Sequence, residues 1–277
     1  MIVKVCRLCS SVNIVLYLKG KNFTIYKCND CTNGWTDPAP NVINYAERDF
    51  HQCEISEKSD VVKKIMDLPT LWQNSIRKQI KLIQRHLPAG SSILEIGCGE
   101  GILLKELSNR GYITFGVEPS LTATKRATDQ GLNVIQGYFP ADELRGKKYD
   151  LILMTHVFEH LAEPLEILKA VKVHLAPQGK LLFVQTYFPG FVPKLLGERW
   201  YAWLPNQHFW HFTPAGLIAI TRDFDFIEAE REFSSLVYYN REKHTLTNFI
   251  FLLLEKSFRF FPDKWKDQFH LILSLKS

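Results

Sequence analysis

An apolar strand that runs straight into a glycine-rich turn constrains this chain more than any other feature. Leu94-Glu-Ile-Gly-Cys-Gly-Glu-Gly101 sets Gly97, Gly99 and Gly101 between a short hydrophobic run, Ser92 to Ile96, and a helical pattern from Gly101 to Arg110. Glycines at such a turn permit tight backbone and let a ligand approach it closely. The alternation then continues. Ile113 to Glu118 reads as a second strand, Ser120 caps a helix that ends at Gly131, and Asn133 to Gln136 reads as a third strand. Tyr149 to Met154 is a fourth, followed by a helix through about Leu175, and Gly179 to Gln185 is a fifth. Strands that are apolar throughout and separated by helices indicate a parallel sheet covered on both faces. Thr213-Pro214 opens another helix, with a capping hydroxyl and proline at the first position. Phe226 to Val237 and Gln268 to Leu275 read as two last strands, joined through an apolar helix around Asn248 to Phe260. The expected fold class is α/β.

The glycine loop selects among nucleotide-like ligands by charge. A dinucleotide fingerprint needs its third glycine at position 102, where this chain has Ile102, and no Gly-Lys-Ser/Thr of a P-loop follows. Glu95 and Glu100 would set anion against anion beside a pyrophosphate. A cofactor with a cationic amino-acid part suits two carboxylates, which points to S-adenosylmethionine, with its ammonium and sulfonium. Glu118 closes the second strand 21 residues after Gly97, where an acidic side chain can accept hydrogen bonds from both ribose hydroxyls. The alternative for Glu118 is a solvated carboxylate at a helix start beside Ser120.

The amino terminus carries a second signal. Four of six cysteines form two knuckles, Cys6-x-x-Cys9 and Cys28-x-x-Cys31, separated by 18 residues. That spacing predicts four thiolates around a tetrahedral zinc, with no position left for water, and hence a structural metal in a reducing cytoplasm. Lys4, Arg7, Lys19, Lys21 and Lys27 make the segment basic, and Tyr17, Phe23, Tyr26 and Trp35 could stack on bases or pack the ribbon against the rest of the chain. The net charge of +5 is too mild to argue for nucleic acid by itself. Cys53 and Cys98 have no sequence partners, and Cys98 reads as a small residue inside the turn. The expected organisation is a zinc ribbon at 1–40, a helical bridge and cofactor-site cover at 41–90, and the α/β domain at 91–277. Within the bridge, Leu71, Ile76, Ile80, Ile83 and Leu87 recur at helical spacing.

Taken together, Leu94 to Gly101, Gly116-Val-Glu-Pro119, the run from Tyr149 to Leu161 and Leu175-Ala-Pro-Gln-Gly-Lys180 resemble the successive motifs of class I S-adenosylmethionine-dependent methyltransferases. The resemblance covers about Ser91 to Leu275. It is strongest to the bacterial small-molecule branch, in which a zinc-ribbon-like amino terminus often precedes the catalytic domain and a segment like His211-Phe-Thr213 follows the fifth strand. It implies a Rossmann-like seven-stranded sheet ending in an antiparallel hairpin. It also implies that Glu95, Gly97, Gly99 and Gly101 hold the methionine side of the cofactor, Glu118 the ribose, and Pro119 the neighbourhood of the adenine. The family's acidic residue after the third strand is replaced by Gly137-Tyr-Phe-Pro140, leaving Asp142 or Phe139 as adenine neighbours. Thr155 and His156 fall where the family lines the transferable methyl group.

The acceptor is expected to be a small molecule, such as a nucleotide-linked sugar or a biosynthetic intermediate. His156, His208 and His211 are the candidate bases, since a histidine can take a proton near neutral pH. His156-x-x-x-His160 sits at an expected helix start, a spacing that could also bind metal, while His160 reads as packing or capping. Trp200 to Thr213 is dense in aromatics and reads equally as an acceptor pocket or as core. Two other functions stand beside this one: an RNA methyltransferase guided by the ribbon, and a non-catalytic S-adenosylmethionine-binding protein. Phe249 to Phe261 reads as a segment buried against the catalytic domain, with a lid, dimer contact or membrane-surface helix as alternatives.

Overall fold

The computed structural model describes residues 4–46, 69–234 and 262–276. Cys53 and the apolar segment from Phe249 to Phe261 lie outside the described residues, as do the last residues of the strand expected to reach Val237.

Three short antiparallel strands come first: β1 (Ile14–Lys19), β2 (Thr24–Cys28) and β3 (Gly34–Asp37). Helix α1 (Pro69–His86) follows, and the hydrophobic periodicity that marks it is borne out, with Ile80 and Ile83 buried and Ile76 and Leu87 packed beside them. The α/β alternation then runs β4 (Ser92–Ile96), α2 (Ile102–Ser108), β5 (Ile113–Glu118), α3 (Leu121–Asp129), β6 (Val134–Gln136), β7 (Tyr149–Thr155), α4 (Pro164–His174) and β8 (Leu175–Thr186). A short α5 (Phe191–Leu196), a two-residue β9 (Trp210–His211), α6 (Pro214–Thr221), β10 (Phe226–Ser234) and β11 (Gln268–Leu275) complete the chain.

The main sheet has seven strands in the order β10-β11-β8-β7-β4-β5-β6. Its five strands from β8 to β6 are parallel, and β11 pairs antiparallel with both β8 and β10. The strand order reverses between β4 and β7, which opens a crevice at their carboxyl ends, the place where ligands of doubly wound sheets bind. Alternate residues of β4 and β7 serve the two faces. Leu94, Ile96, Ile152 and Met154 join one core, whereas Ile93, Leu151 and Leu153 pack under Ile80, Leu82 and Ile83 of α1 and Leu103 and Leu107 of α2. The caps fall where the sequence sets them: Ser120 Oγ accepts from Ala123 N–H at 3.3 Å, and Thr213 Oγ1 from Gly216 N–H at 2.9 Å.

The second sheet has the order β1-β2-β3-β9, so the amino-terminal ribbon takes its last strand from far along the chain. Gly34 pairs with His211 and Trp35 with Trp210. Side chains lock the joint: Thr36 Oγ1 lies 3.0 Å from His211 Nε2, Thr32 and Thr213 share a hydroxyl bond of 2.6 Å, and Asn33 Oδ1 accepts from Thr213 N–H at 3.2 Å. The close approach requires glycine, because a Cβ on Gly216 would fall 1.9 Å from Asn33 Oδ1. Ile25 is buried with Phe188, Trp200 and Trp203, with Tyr17 and Phe23 packed beside them, while Cys6, Leu8, Cys28 and Cys31 merge with the main core. The aromatics Tyr17 and Phe23 therefore pack the ribbon inward, and Tyr26 stacks on Trp35 at 5.7 Å beneath Lys4. Among the described residues no helix is long and apolar enough to cross a membrane.

Candidate functional site

The glycine turn leaves β4 at the switch point. Gly97, Gly99 and Gly101 all adopt positive φ (69°, 53° and 75°), as a turn this tight demands. A Cβ at Gly99 would meet nothing within 4 Å, so the turn faces open space there, whereas Gly101 abuts Leu132. Glu118, at the end of neighbouring β5, anchors the turn from below. Its Oε2 accepts from Gly99 N–H at 2.9 Å and its Oε1 from Ser120 N–H at 2.8 Å. Each oxygen keeps a second lone pair for a ligand. Burial raises the Glu118 pKa, and the two backbone donors pull the other way.

Glu95 lies one strand over, paired across the ladder with Gly116 and fully buried. Burial, reinforced by the charge of Glu118, pushes its pKa well above the carboxylate range, and its Oε2 has no hydrogen-bond partner. An orphaned buried carboxylate oxygen beside an open glycine turn fits a ligand that brings a cation or N–H donors. Glu100, by contrast, points to Arg126 at 2.5 Å. Cys98 is buried against Leu104, Ala127 and Leu132, and burial raises its thiol pKa, so it is a packing residue.

The two residues expected beside the adenine take different positions. Phe139 is turned into the core, its ring edge-on to His174 at 5.3 Å, and Asp142 is exposed and pairs with Arg145. The ring left outside is Tyr138, whose hydroxyl accepts from Tyr45 N–H at 3.0 Å and donates to Asn44 at 3.3 Å. The carbonyl of Pro119 accepts from Gln136 at 3.2 Å. Thr155, at the end of β7, donates to Gln79 Oε1 of α1 at 2.9 Å. Gln79 is buried, and sequence reasoning missed it because a polar residue on a helix reads as solvated.

His156 does not start a helix. Its φ is +53°, a short 3-10 turn spans Phe158–His160, and the helix begins at Pro164. Its N–H donates to Val184 O at 3.0 Å, its Nε2 accepts from Gln268 Nε2 at 2.8 Å, and its Nδ1 lies 3.5 Å from Glu159 Oε1. The ring is partly exposed, unlike those of His208 and His211. His211 faces the ribbon, bonded to Thr36 and packed on Trp203 and Phe188, and burial drives its pKa down to about 3. His208 donates Nδ1–H to Ala202 O at 3.0 Å, and burial, with His160 next, holds it well below the usual imidazole range. The structure thus brings Thr155 and His156 to the carboxyl end of the sheet and sets His211 in the joint with the ribbon.

The four expected metal ligands converge. Cys6 and Cys31 Sγ are 3.7 Å apart, Cys9 and Cys28 Sγ 3.6 Å, and all four lie within 4.8 Å of one another. A tetrahedron with Zn–S of ~2.3 Å has sulfurs ~3.8 Å apart, so the donor set fits zinc with no open position.

Residues 71–227 match the family model described as "Methyltransferase domain", more than half of the chain. The chain belongs to this family, the class I S-adenosylmethionine-dependent methyltransferases. Among similar curated proteins of the family, the ubiquinone biosynthesis O-methyltransferase of Haemophilus ducreyi is 30% identical over 108 residues, which is 35% of this chain and 45% of that protein. That of a Caulobacter species is 31% identical over 134 residues, 44% of this chain and 52% of its own length. The chain thus spans about half the length of these relatives. Two solved methyltransferases share the fold. The plantazolicin methyltransferase BpumL, in complex with SAH, is 19% identical with a TM-score of 0.55, covering 82% of this chain and 94% of that one. The magnesium protoporphyrin IX methyltransferase of Synechocystis, with bound SAH, is 15% identical with a TM-score of 0.54, covering 82% and 93%.

Proposed function

We propose that this methyltransferase-family chain transfers a methyl group from S-adenosylmethionine to a small-molecule acceptor, a nucleotide-linked sugar or another biosynthetic intermediate. The observation that carries the reading is the Glu118 carboxylate clamped under the open glycine turn, with the orphaned Glu95 oxygen beside it. Two buried carboxyl groups offer acceptors that complement a cationic cofactor and none of the donors a pyrophosphate needs. When bound, the cofactor supplies an electrophilic methyl on a sulfonium. Gly97, Gly99 and Gly101 give its methionine part room, Glu95 meets its ammonium through hydrogen bonds, and Glu118 accepts from the ribose hydroxyls. Pro119 and Tyr138 flank the adenine side, with Phe139 supporting the loop from the core.

Thr155 and His156 face the reacting end. In-line displacement at a sulfonium draws most of its rate from positioning and exclusion of water. His156, partly exposed and oriented by Gln268 and Glu159, takes the acceptor proton at Nε2 once Gln268 yields that position. His208 lies beside His160 as a buried neutral ring, while His211, bonded to Thr36, holds the ribbon joint rather than acting as a base. Zinc is held by Cys6, Cys9, Cys28 and Cys31 and keeps β1 to β3 folded as a template for β9. The chain is divided into the ribbon (1–40), the bridge and cover (41–90) and the catalytic domain (91–277), with the ribbon docked on the catalytic domain through β3 and β9. The inward-packed Tyr17 and Phe23 take from the RNA-guided reading the aromatic surface it would need.

The test is methyl transfer from labelled S-adenosylmethionine to separate pools of nucleotide-linked sugars, phenolic and acidic metabolites, and RNA. Label in a small-molecule fraction that His156→Ala reduces at least tenfold, with cofactor affinity spared, supports the reading. Label in RNA alone, or none in any pool, contradicts it.

A further inference from the structure

A second cluster of metal-ligating side chains lies beside His156, apart from the four cysteines. Glu159 and His160 come from the turn after β7, and His208 from the loop before β9. One donor atom of each lies within 4.8 Å of the donors of the other two. The two segments are pinned together by one backbone and one side-chain hydrogen bond, Phe209 N–H donating to Glu159 O at 2.9 Å and the Trp210 indole Nε1–H to Leu161 O at 3.0 Å.

Glu159 is 2% exposed, and neither carboxylate oxygen accepts a well-formed hydrogen bond, the nearest donor being His156 Nδ1 at 3.5 Å from Oε1. A buried carboxylate without donors costs several kcal/mol unless a cation neutralises it. His208 does not supply the missing proton donor. Its Nδ1–H is spent on the Ala202 carbonyl, so the neutral ring keeps its lone pair on Nε2. An Nδ1–H bonded to a backbone carbonyl is the arrangement that fixes a metal-ligating imidazole. His160 has its own supporting contact, Nδ1 lying 3.2 Å from the Tyr45 hydroxyl, and its ring meets His208 edge to face at 4.6 Å.

We propose that Glu159, His160 and His208 bind a divalent first-row transition-metal ion. Two imidazoles and one carboxylate suit such an ion better than magnesium or calcium, which prefer all-oxygen shells. With ligand distances of ~2.0–2.2 Å, the present donor spacing closes on an ion by small side-chain rotations. Three protein ligands leave coordination positions open, unlike the closed four-thiolate site, and a water or an acceptor oxygen fills one of them. That role toward the acceptor rests on the function proposed above; the metal site itself does not.

The test titrates zinc-loaded, otherwise metal-free protein with Co²⁺, followed by calorimetry and visible absorption. The expected result is one saturable equivalent with weak d–d bands and none of the intense sulfur-to-cobalt absorption that the cysteines would give. Glu159→Gln should weaken that equivalent at least 100-fold, while zinc content and S-adenosylmethionine affinity stay unchanged. His208→Gln is the independent second variant, and the wild-type spectrum needs no variant at all. No saturable Co²⁺ binding, or binding unchanged in both variants, would overturn the site. S-adenosylmethionine titrated into the same samples separates the two ideas, since its failure with Co²⁺ binding intact strikes the methyltransferase reading alone.

Discussion

Glu118 spends one lone pair of each oxygen on the fold, bonding Gly99 and Ser120 N–H, and keeps the other for a ligand. Glu118→Ala should therefore weaken S-adenosylmethionine binding by about 3–6 kcal/mol, the order of two hydrogen bonds to a charged group. Unchanged affinity in a titration would remove it from the ribose. His156 occupies the left-handed region, φ +53°, a conformation that costs about 1–3 kcal/mol in a non-glycine residue and concentrates at functional sites. At this scale the sequence was legible where a residue's partners are local. Glu118 and the glycines belong to one strand–turn–helix unit, so their spacing carries their geometry. Gln79, Glu159 and Tyr138 were not legible, because each acquires its meaning from a partner on another element: Thr155, the histidine cluster and the segment at Asn44 and Tyr45.

Between elements, the ribbon's docking decides more than its zinc. Strand β9 is two residues long and exists only because β3 pairs with it, so no periodicity announces it. The same joint explains why Trp200 to Thr213 read evenly between pocket and packing: Trp200 and Trp203 fill the core against Ile25, while Trp210 and His211 build the shared sheet. The helix expected to start at His156 begins at Pro164 instead, since proline at the first position sets the start and four-residue spacing alone cannot. Gly216→Ala would drive a methyl into Asn33 and should cost about 1–3 kcal/mol while leaving zinc bound, as chemical denaturation and metal analysis would register. Cys28→Ser should release zinc and loosen β9 as well, readable as faster amide exchange at Trp210 and His211. Retained zinc would refute the four-thiolate site.

Across the whole molecule, buried histidines set the response to acid. His211 and His270 are buried, and burial lowers both from 6.5 to about 3. Between these values the unfolded chain takes up protons that the folded chain refuses, so stability is full above about pH 6.5 and falls as pH drops toward 3. Each unit of difference is worth ~1.4 kcal/mol per group. The urea midpoint should decline from pH 7 to pH 4, and His270→Gln should flatten that decline; an unaltered slope would contradict the assignment.

The seven-stranded core, legible from its apolar strands, delivers the carboxyl ends of β4, β5 and β7 to one crevice, and the function proposed for this chain depends on what enters it. Calorimetric titration of the intact protein with S-adenosylmethionine and, separately, with NAD tests that most directly. The account predicts saturable one-to-one binding of S-adenosylmethionine, lost in Glu118→Ala, and no binding of NAD. Saturable NAD binding, or S-adenosylmethionine binding indifferent to Glu118, would contradict it.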